Sequence, residues 1–175
     1  MELLFTKMHG CGNDFVIIDN RNQQVDLNED EIKLICDRHY GIGCDQLVVI
    51  NSNNKKNLSA HALFWNSDGS ASATCGNATR CIASILFKET STDTLSIETQ
   101  NGVIDCHKKN SQLISVNIGK PKIAWNEIPL SRDVSTLKLP LEGEPTATNF
   151  GNPHCTFFVD DLNNCLLYTS DAADE

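Results

Sequence analysis

Cys75 opens the stretch CGNATRC at 75–81, and a mainly apolar run, residues 82–87, follows it. A cysteine among small and polar residues at the start of such a run can be a nucleophile, a metal ligand, an acid/base group or a buried structural thiol. The spacing of the surrounding residues separates these four readings.

The metal and nucleophile readings fit poorly. Cys75 and Cys81 do not have the Cys-x-x-Cys spacing of zinc sites, so we expect no metal ligand here. A phosphate-binding loop of the tyrosine phosphatase type has five residues between its cysteine and arginine, whereas four separate Cys75 from Arg80. The flanking residues also differ from the papain signature.

An acid/base thiol remains, with a buried thiol as the alternative. A helix predicted to begin at Gly76 or Asn77 would place Ile82, Ile85 and Leu86 inward, and its free N–H groups would stabilise a thiolate at Cys75. A buried structural role is the better expectation for four other cysteines: Cys36, Cys44, Cys81 and Cys106.

The elements that must position Cys75 predict an α+β fold with few helices. Apolar, β-branched runs predict strands at Phe15–Ile18 and Leu47–Ile50, and one helix lies between them, capped by Asn28 and ending at Gly41. Further strands are predicted at 61–65, 95–98, 103–107 and 113–118. Residues 51–57 are predicted to be a polar hairpin loop.

Composition places the chain among non-membrane proteins of a reducing compartment. Its 175 residues suffice for one domain plus part of another, and it has no apolar run of membrane-spanning length; residues 1–7 lack the features of a signal peptide, so none is expected. We therefore expect a cytoplasmic location, with the eight cysteines reduced. The net charge of −9 opposes binding to nucleic acid, so neither nucleic acid nor a membrane is an expected partner.

Two stretches of the chain resemble each other. Residues 12–19 and 151–160 both run Gly-Asn, a polar step and a bulky strand that ends in Asp. The match could be chance, or it could mark two related halves. Gly119-Lys120-Pro121 is a plausible boundary, so we predict a first domain at 1–119 and an incomplete second domain at 120–164.

Five motifs in order resemble the diaminopimelate epimerase family. They are KMHGCGNDF at 7–15, GIGCDQ at 41–46, FWNSDGS at 64–70, CGNATRC at 75–81 and GNPHC at 151–155. Five motifs in register are far more specific than any one of them, and the resemblance extends to about Asn164.

The resemblance implies a fold of two similar domains, each a mixed sheet wrapped around a central helix, with the second domain truncated here. It implies an isomerase that interconverts LL- and meso-diaminopimelate without a cofactor, on the route to lysine. The family uses two cysteines on opposite faces of one α-carbon, and Cys75 matches the first of them. A homodimer is an expectation for the full-length protein.

The resemblance also assigns substrate-binding positions. They share neutral or small side chains and are Asn13, Gln46, Asn66, Gly76, Asn77 and Asn152. Neutral amides can bind a zwitterionic ligand without holding the thiol in one charge state. His154 matches a position thought to tune the acid strength of the cysteine pair, whereas His9 and Arg80 are assigned to packing or helix-end roles.

The second cysteine motif of the family, Ala/Ser-Cys-Gly-Ser/Thr-Gly, is absent from this chain. If the two similar stretches mark equal halves, its cysteine should lie near position 214 of a longer protein. Residues 165–175 leave the family pattern and resemble an in-frame translation of a sequencing-library adapter. We therefore expect the fragment to be inactive by itself; a related proline racemase or phenazine-type isomerase, or a catalytically dead binding fragment, is the alternative.

Overall fold

A computed structural model describes residues 3–22, 25–111 and 113–161. The predicted tail at 165–175, and residues 162–164 before it, lie outside the described residues. The chain divides into two compact units, 1–119 and 120–175.

The described part of the first unit contains an eight-stranded mixed sheet and two helices. In chain order the elements are β1 (Thr6–Gly10), β2 (Asn13–Asp19), α1 (Glu29–Cys36), β3 (Gln46–Asn51), β4 (Ala60–Asn66), β5 (Ala71–Ser72), α2 (Gly76–Glu89), β6 (Thr94–Thr99), β7 (Gly102–Lys108) and β8 (Ile114–Asn117). The strands are ordered β1-β2-β3-β4-β6-β7-β8, with β5 paired to β4. β2 runs parallel to β3, and β4 runs antiparallel to β3.

The sheet curls around α2. This helix packs against β1 and β2 at one end of the strand order and against β7 and β8 at the other. Ile82 and Leu86 of the helix are buried in one cluster with Phe15 and Ile17, because alternate residues of a strand face the same side. A mixed sheet around a central helix is thus confirmed for the first unit.

The opposite face of β2 and β3 packs on α1. Val16, Ile18, Leu47 and Val49 form a second cluster there with Ile32 of α1. Both faces of β2 are therefore covered, which explains why residues 15–18 are apolar without alternation.

The predicted end of the first helix is wrong. Asn28 is its N-cap, as expected, but α1 stops at Cys36 because Asp37 takes an extended conformation. The chain then folds back, and the N–H groups of Ile42 and Gly43 donate to the carbonyl of Ile35. Strand β1, which has mixed exposed and half-buried residues, was not predicted from the sequence.

In its described residues the second unit has a short two-stranded sheet, β9 (Thr146–Asn149) and β10 (Pro153–Thr156), and a 3₁₀ turn at Trp125–Glu127. Ile128, Leu139 and Ala147 form its small buried cluster. The Gly-Asn pairs at 12–13 and 151–152 both lie at the turn of an antiparallel hairpin, and both glycines have positive φ. The two similar stretches therefore share a local conformation as well as a sequence pattern.

Candidate active site

Cys75 is the N-cap residue of α2, immediately before the first helical residue. Its backbone is extended, and its Sγ accepts a hydrogen bond from the N–H of Ala78 at 3.5 Å. The Thr79 N–H and hydroxyl both donate to the Cys75 carbonyl, at 2.9 and 2.7 Å. These bonds fix the backbone of Cys75 and hold the half-buried thiol at the positive end of the helix dipole.

Asn13 approaches the same sulfur from the start of β2. Its Oδ1 lies 3.9 Å from Cys75 Sγ, at hydrogen-bonding distance for a thiol donor, and also accepts from Asn77 Nδ2 at 3.3 Å. Cys75 thus meets one donor, the Ala78 N–H, and one acceptor, Asn13 Oδ1. The thiolate is stabilised by the first and the thiol by the second, as a group that exchanges a proton in both directions requires.

Three predicted amides lie at one end of the sheet. Asn13 begins β2, Gln46 begins β3 and Asn66 ends β4; the parallel and antiparallel pairings bring these ends together. Gln46 donates from Nε2 to Asn66 Oδ1 at 2.9 Å, and Asn66 donates to Ser70 Oγ at 3.0 Å. Within the described residues, the Gln46 Oε1 atom is buried and has no hydrogen-bond partner.

The first turn of α2 offers free donors beside the thiol. Among the described residues, the backbone N–H groups of Gly76 and Asn77 take part in none of the hydrogen bonds at this end of the helix, whereas those of Ala78 and Thr79 are used by Cys75. Free N–H groups at the start of a helix bind carboxylates and other anions.

A cluster of charged residues supports Asn13 on the side away from the thiol. Asp45 accepts from Asn13 Nδ2 at 3.0 Å, and Arg38 donates to both Asp14 and Asp45 at 2.7 and 2.8 Å. The Arg38 guanidinium holds the pKa of the Asp14 carboxyl well below its usual range, against the opposite effect of burial; Lys7 adds to the lowering. The Asp14 carboxylate therefore stays ionised at neutral pH.

The predicted site residues that belong to the first unit lie near one another. The other two predicted residues, Asn152 and His154, belong to the second unit. Cys75, Asn13, Gly76 and Asn77 form one group, and Gln46 and Asn66 lie along the sheet end that begins at Asn13. Asn152 and His154 neighbour each other in the second unit, where His154 Nε2 lies 3.1 Å from Asn152 Oδ1.

Four other cysteines of the first unit differ from Cys75. Cys36, Cys44, Cys81 and Cys106 are buried, which confirms the prediction made for them. Burial raises the pKa of the Cys81 thiol to about 11 and that of Cys106 to about 12, so both are protonated at neutral pH. Across the described part of the chain, no group of three or more His, Cys, Asp and Glu side chains could hold a metal ion.

Two further residues contact the predicted amides: Asp45, which the sequence analysis did not single out, and Arg80, which it assigned to a packing or helix-end role. Asp45 lies next to Gln46 in its motif, and Arg80 donates to Asn77 Oδ1. Both are charged residues within the quoted motifs, and that position in the motifs was the signal that could have identified them.

Across the described residues, no helix is long and apolar enough to cross a membrane.

Comparison with known proteins places the chain by its sequence. A family model described as diaminopimelate epimerase matches residues 5–124. A diaminopimelate epimerase from Acidiphilium cryptum is 43% identical over 169 residues, covering 94% of this chain and 60% of that protein. One from Pelagibacter ubique is 44% identical over 171 residues, covering 93% of this chain and 61% of that protein. The chain thus spans about 60% of the length of these curated relatives.

Solved structures share the fold at low sequence identity. A hydroxyproline epimerase from Agrobacterium vitis matches with a TM-score of 0.58 at 9% identity, over 86% of this chain and 50% of that one. A phenazine biosynthesis protein of the PhzF family from Bacillus anthracis matches with a TM-score of 0.57 at 17% identity, over 89% of this chain and 55% of that one. These likenesses show the fold alone.

Proposed function

Because the chain belongs to the diaminopimelate epimerase family, we propose that the full-length protein interconverts LL- and meso-diaminopimelate, a step on the route to lysine, with Cys75 as one of two acid/base cysteines. The observation that supports this most is the place of Cys75 at the N-terminus of α2, between a donor and an acceptor. The same thiol can then remove a proton as thiolate and return one as thiol.

The reaction needs an α-proton to leave a carbon whose acidity is very low. Cys75 takes the proton on one face, and a second cysteine delivers a proton to the opposite face, which inverts the carbon. No cofactor is required if fixed dipoles stabilise the carbanion while water is kept away. The second cysteine belongs to the part of the protein beyond this chain, because its family motif is absent here.

The described residues offer partners for the substrate's charged groups. The free N–H groups of Gly76 and Asn77 would bind the α-carboxylate, as helix N-termini bind anions. The unpartnered Gln46 Oε1 would accept from a substrate N–H, and the neighbouring amides Asn13 and Asn66 add neutral donors and acceptors. We further propose that Asn152 contacts the substrate and that His154 tunes the cysteine pair.

Thiols must stay reduced for this chemistry, so the proposed compartment is the cytoplasm. A homodimer and the absence of a nucleic-acid partner stay predictions from the sequence. The related racemases and isomerases share the fold, but at 9–17% identity they give no argument for their own substrates here.

The test is proton exchange at the substrate α-carbon. The full-length protein, kept reduced, is incubated with LL-diaminopimelate in deuterium oxide. We expect meso-diaminopimelate that carries deuterium at the inverted carbon, and no product with a Cys75→Ala variant. A soluble full-length protein that neither exchanges nor inverts this carbon would refute the proposal.

A further inference from the structure

Arg80 and Asp45 lie at the two ends of a chain of hydrogen bonds that passes through two amides. Arg80 donates to Asn77 Oδ1, Asn77 Nδ2 donates to Asn13 Oδ1 at 3.3 Å, and Asn13 Nδ2 donates to Asp45 Oδ2 at 3.0 Å. Each bond points the same way, from the cation towards the anion.

The charges at the two ends determine this direction. A guanidinium has only donors and an ionised carboxylate has only acceptors, whereas an amide can present either side. Turning over Asn13 or Asn77 would place an NH₂ group against a donor or an oxygen against the carboxylate. Bonds to charged groups are also stronger than neutral ones, so each amide is held in one of its two orientations.

Both ends of the chain are themselves anchored. Asp45 accepts from the Asp14 N–H at 2.9 Å and from Arg38 at 2.8 Å. Arg80 lies on α2 three residues after Asn77, on the same face of the helix, and its guanidinium is 3.8 Å from Cys11 Sγ.

The direction of the chain decides what the thiol faces. Because Asn13 Nδ2 is taken by Asp45, Asn13 presents Oδ1 to Cys75 Sγ. The N–H of Ala78 approaches the same sulfur. A reversed Asn13 would surround the sulfur with two donors, which would favour the thiolate and leave the thiol proton without an acceptor.

We propose that Asp45 and Arg80 are positioning residues for the epimerase reaction. Their opposite charges orient Asn77 and Asn13, so that Cys75 always has an acceptor for its proton. The claim about the reaction depends on the function proposed above, whereas the claim about the thiol's surroundings does not.

The first test is Asp45→Asn in the full-length protein. A neutral amide no longer holds Asn13 Nδ2 by its charge, so Asn13 loses its preference for one orientation and can present its NH₂ group to the sulfur. We expect kcat to fall about tenfold, the factor that one ordinary hydrogen bond in the transition state corresponds to. Alkylation of Cys75 by iodoacetamide near neutral pH should become several-fold faster. Mass spectrometry of the Cys75 peptide measures this rate.

The matched control is Asp105→Asn, which removes one carboxylate that is exposed and bonded to the Ser96 hydroxyl. It should leave both turnover and Cys75 alkylation within twofold of the parent. A merely structural role for Asp45 would lower thermal stability without accelerating alkylation. Equal alkylation rates in the parent, Asp45→Asn and Asp105→Asn proteins would overturn the proposal.

Arg80→Met tests the other end and serves if Asp45→Asn does not fold. Loss of the donor frees Asn77 to rotate, so KM should rise several-fold while Lys88→Met, an exposed cation later on the same helix, changes nothing. Equal KM values for the two variants would overturn the role of Arg80. If the parent protein shows no epimerase activity at all, the proposed function fails, and the alkylation comparison still decides the orientation of Asn13.

Discussion

Gln46 Nε2 donates to Asn66 Oδ1 over 2.9 Å, and this bond turns the Gln46 Oε1 atom into a buried position where no described residue donates to it. An unpartnered buried acceptor costs about 1–3 kcal/mol. The cost is recovered when a ligand supplies an N–H group, which makes this atom a marker for substrate binding.

Gln46→Met should therefore separate binding from stability. The variant loses the bond to Asn66 but also removes the unpartnered acceptor, so the free energy of unfolding should change by no more than about 1 kcal/mol. KM should rise about tenfold, since a ligand partner is lost. Denaturant unfolding and steady-state kinetics measure the two effects. Gln100→Met, an exposed residue in the turn before β7, is the control and should alter neither quantity.

Cys75→Ala and Cys81→Ala should differ sharply. Cys75→Ala should abolish turnover while the protein still unfolds cooperatively, because the half-buried thiol can be removed without a large cavity. Cys81 is buried and protonated at neutral pH, so its replacement should cost about 1 kcal/mol of stability and leave most of the activity. Equal losses of turnover in the two variants would show that the catalytic thiol has been misassigned.

Gly76→Pro and Gly76→Ala test the free N–H group at the first position of α2. Proline is well suited to this position, and the extended backbone of Cys75 is compatible with a following proline. An added Cβ would lie 3.5 Å from Ile118 Cγ2, an ordinary contact, so both variants should fold. Only Gly76→Pro lacks the N–H donor, and its KM should exceed that of Gly76→Ala about tenfold. Similar KM values would remove this N–H from the carboxylate site.

Asp14→Asn should destabilise the protein in a pH-dependent way. Arg38 lowers the pKa of Asp14 in the folded state, so the carboxylate contributes stability above its unfolded pKa of about 3.9 and loses that contribution as pH falls further. The parent should be more stable than Asp14→Asn at pH 7, and the difference should shrink below about pH 4. Urea unfolding at pH 7 and below about pH 4 measures this difference in the free energy of unfolding. A difference that grew on acidification would contradict the sign.

The 175-residue chain by itself should not epimerise diaminopimelate. Inversion needs a proton donor on the face opposite Cys75, and that cysteine motif is absent from the chain. The measurement is the formation of meso-diaminopimelate in deuterium oxide by the purified chain, with Cys75→Ala as the background for contaminating host enzyme. Formation of meso-diaminopimelate that disappears in Cys75→Ala would mean that another group within these residues, such as Cys155, delivers the second proton.

Local patterns in the sequence determined the elements and the main candidate. The apolar run at 15–18 identified β2, Asn28 identified the start of α1, and the polar start of 75–81 identified Cys75 at the head of α2. Such features depend on residues within one or two turns of each other, so they can be read without the fold. Five ordered motifs further related these residues to one family.

Only the tertiary structure decided which of these residues meet. Strand β1 and the early end of α1 depend on contacts with distant residues: β1 pairs with β2, and the chain after Cys36 returns to the carbonyl of Ile35. Asp45 and Arg80 are 35 positions apart, yet they act on one chain of amides because β2 lies beside β3 and α2 packs on β2. Which side of an amide faces Cys75 is set by these charges, and a sequence pattern carries no information on that orientation because both sides of an amide belong to the same residue.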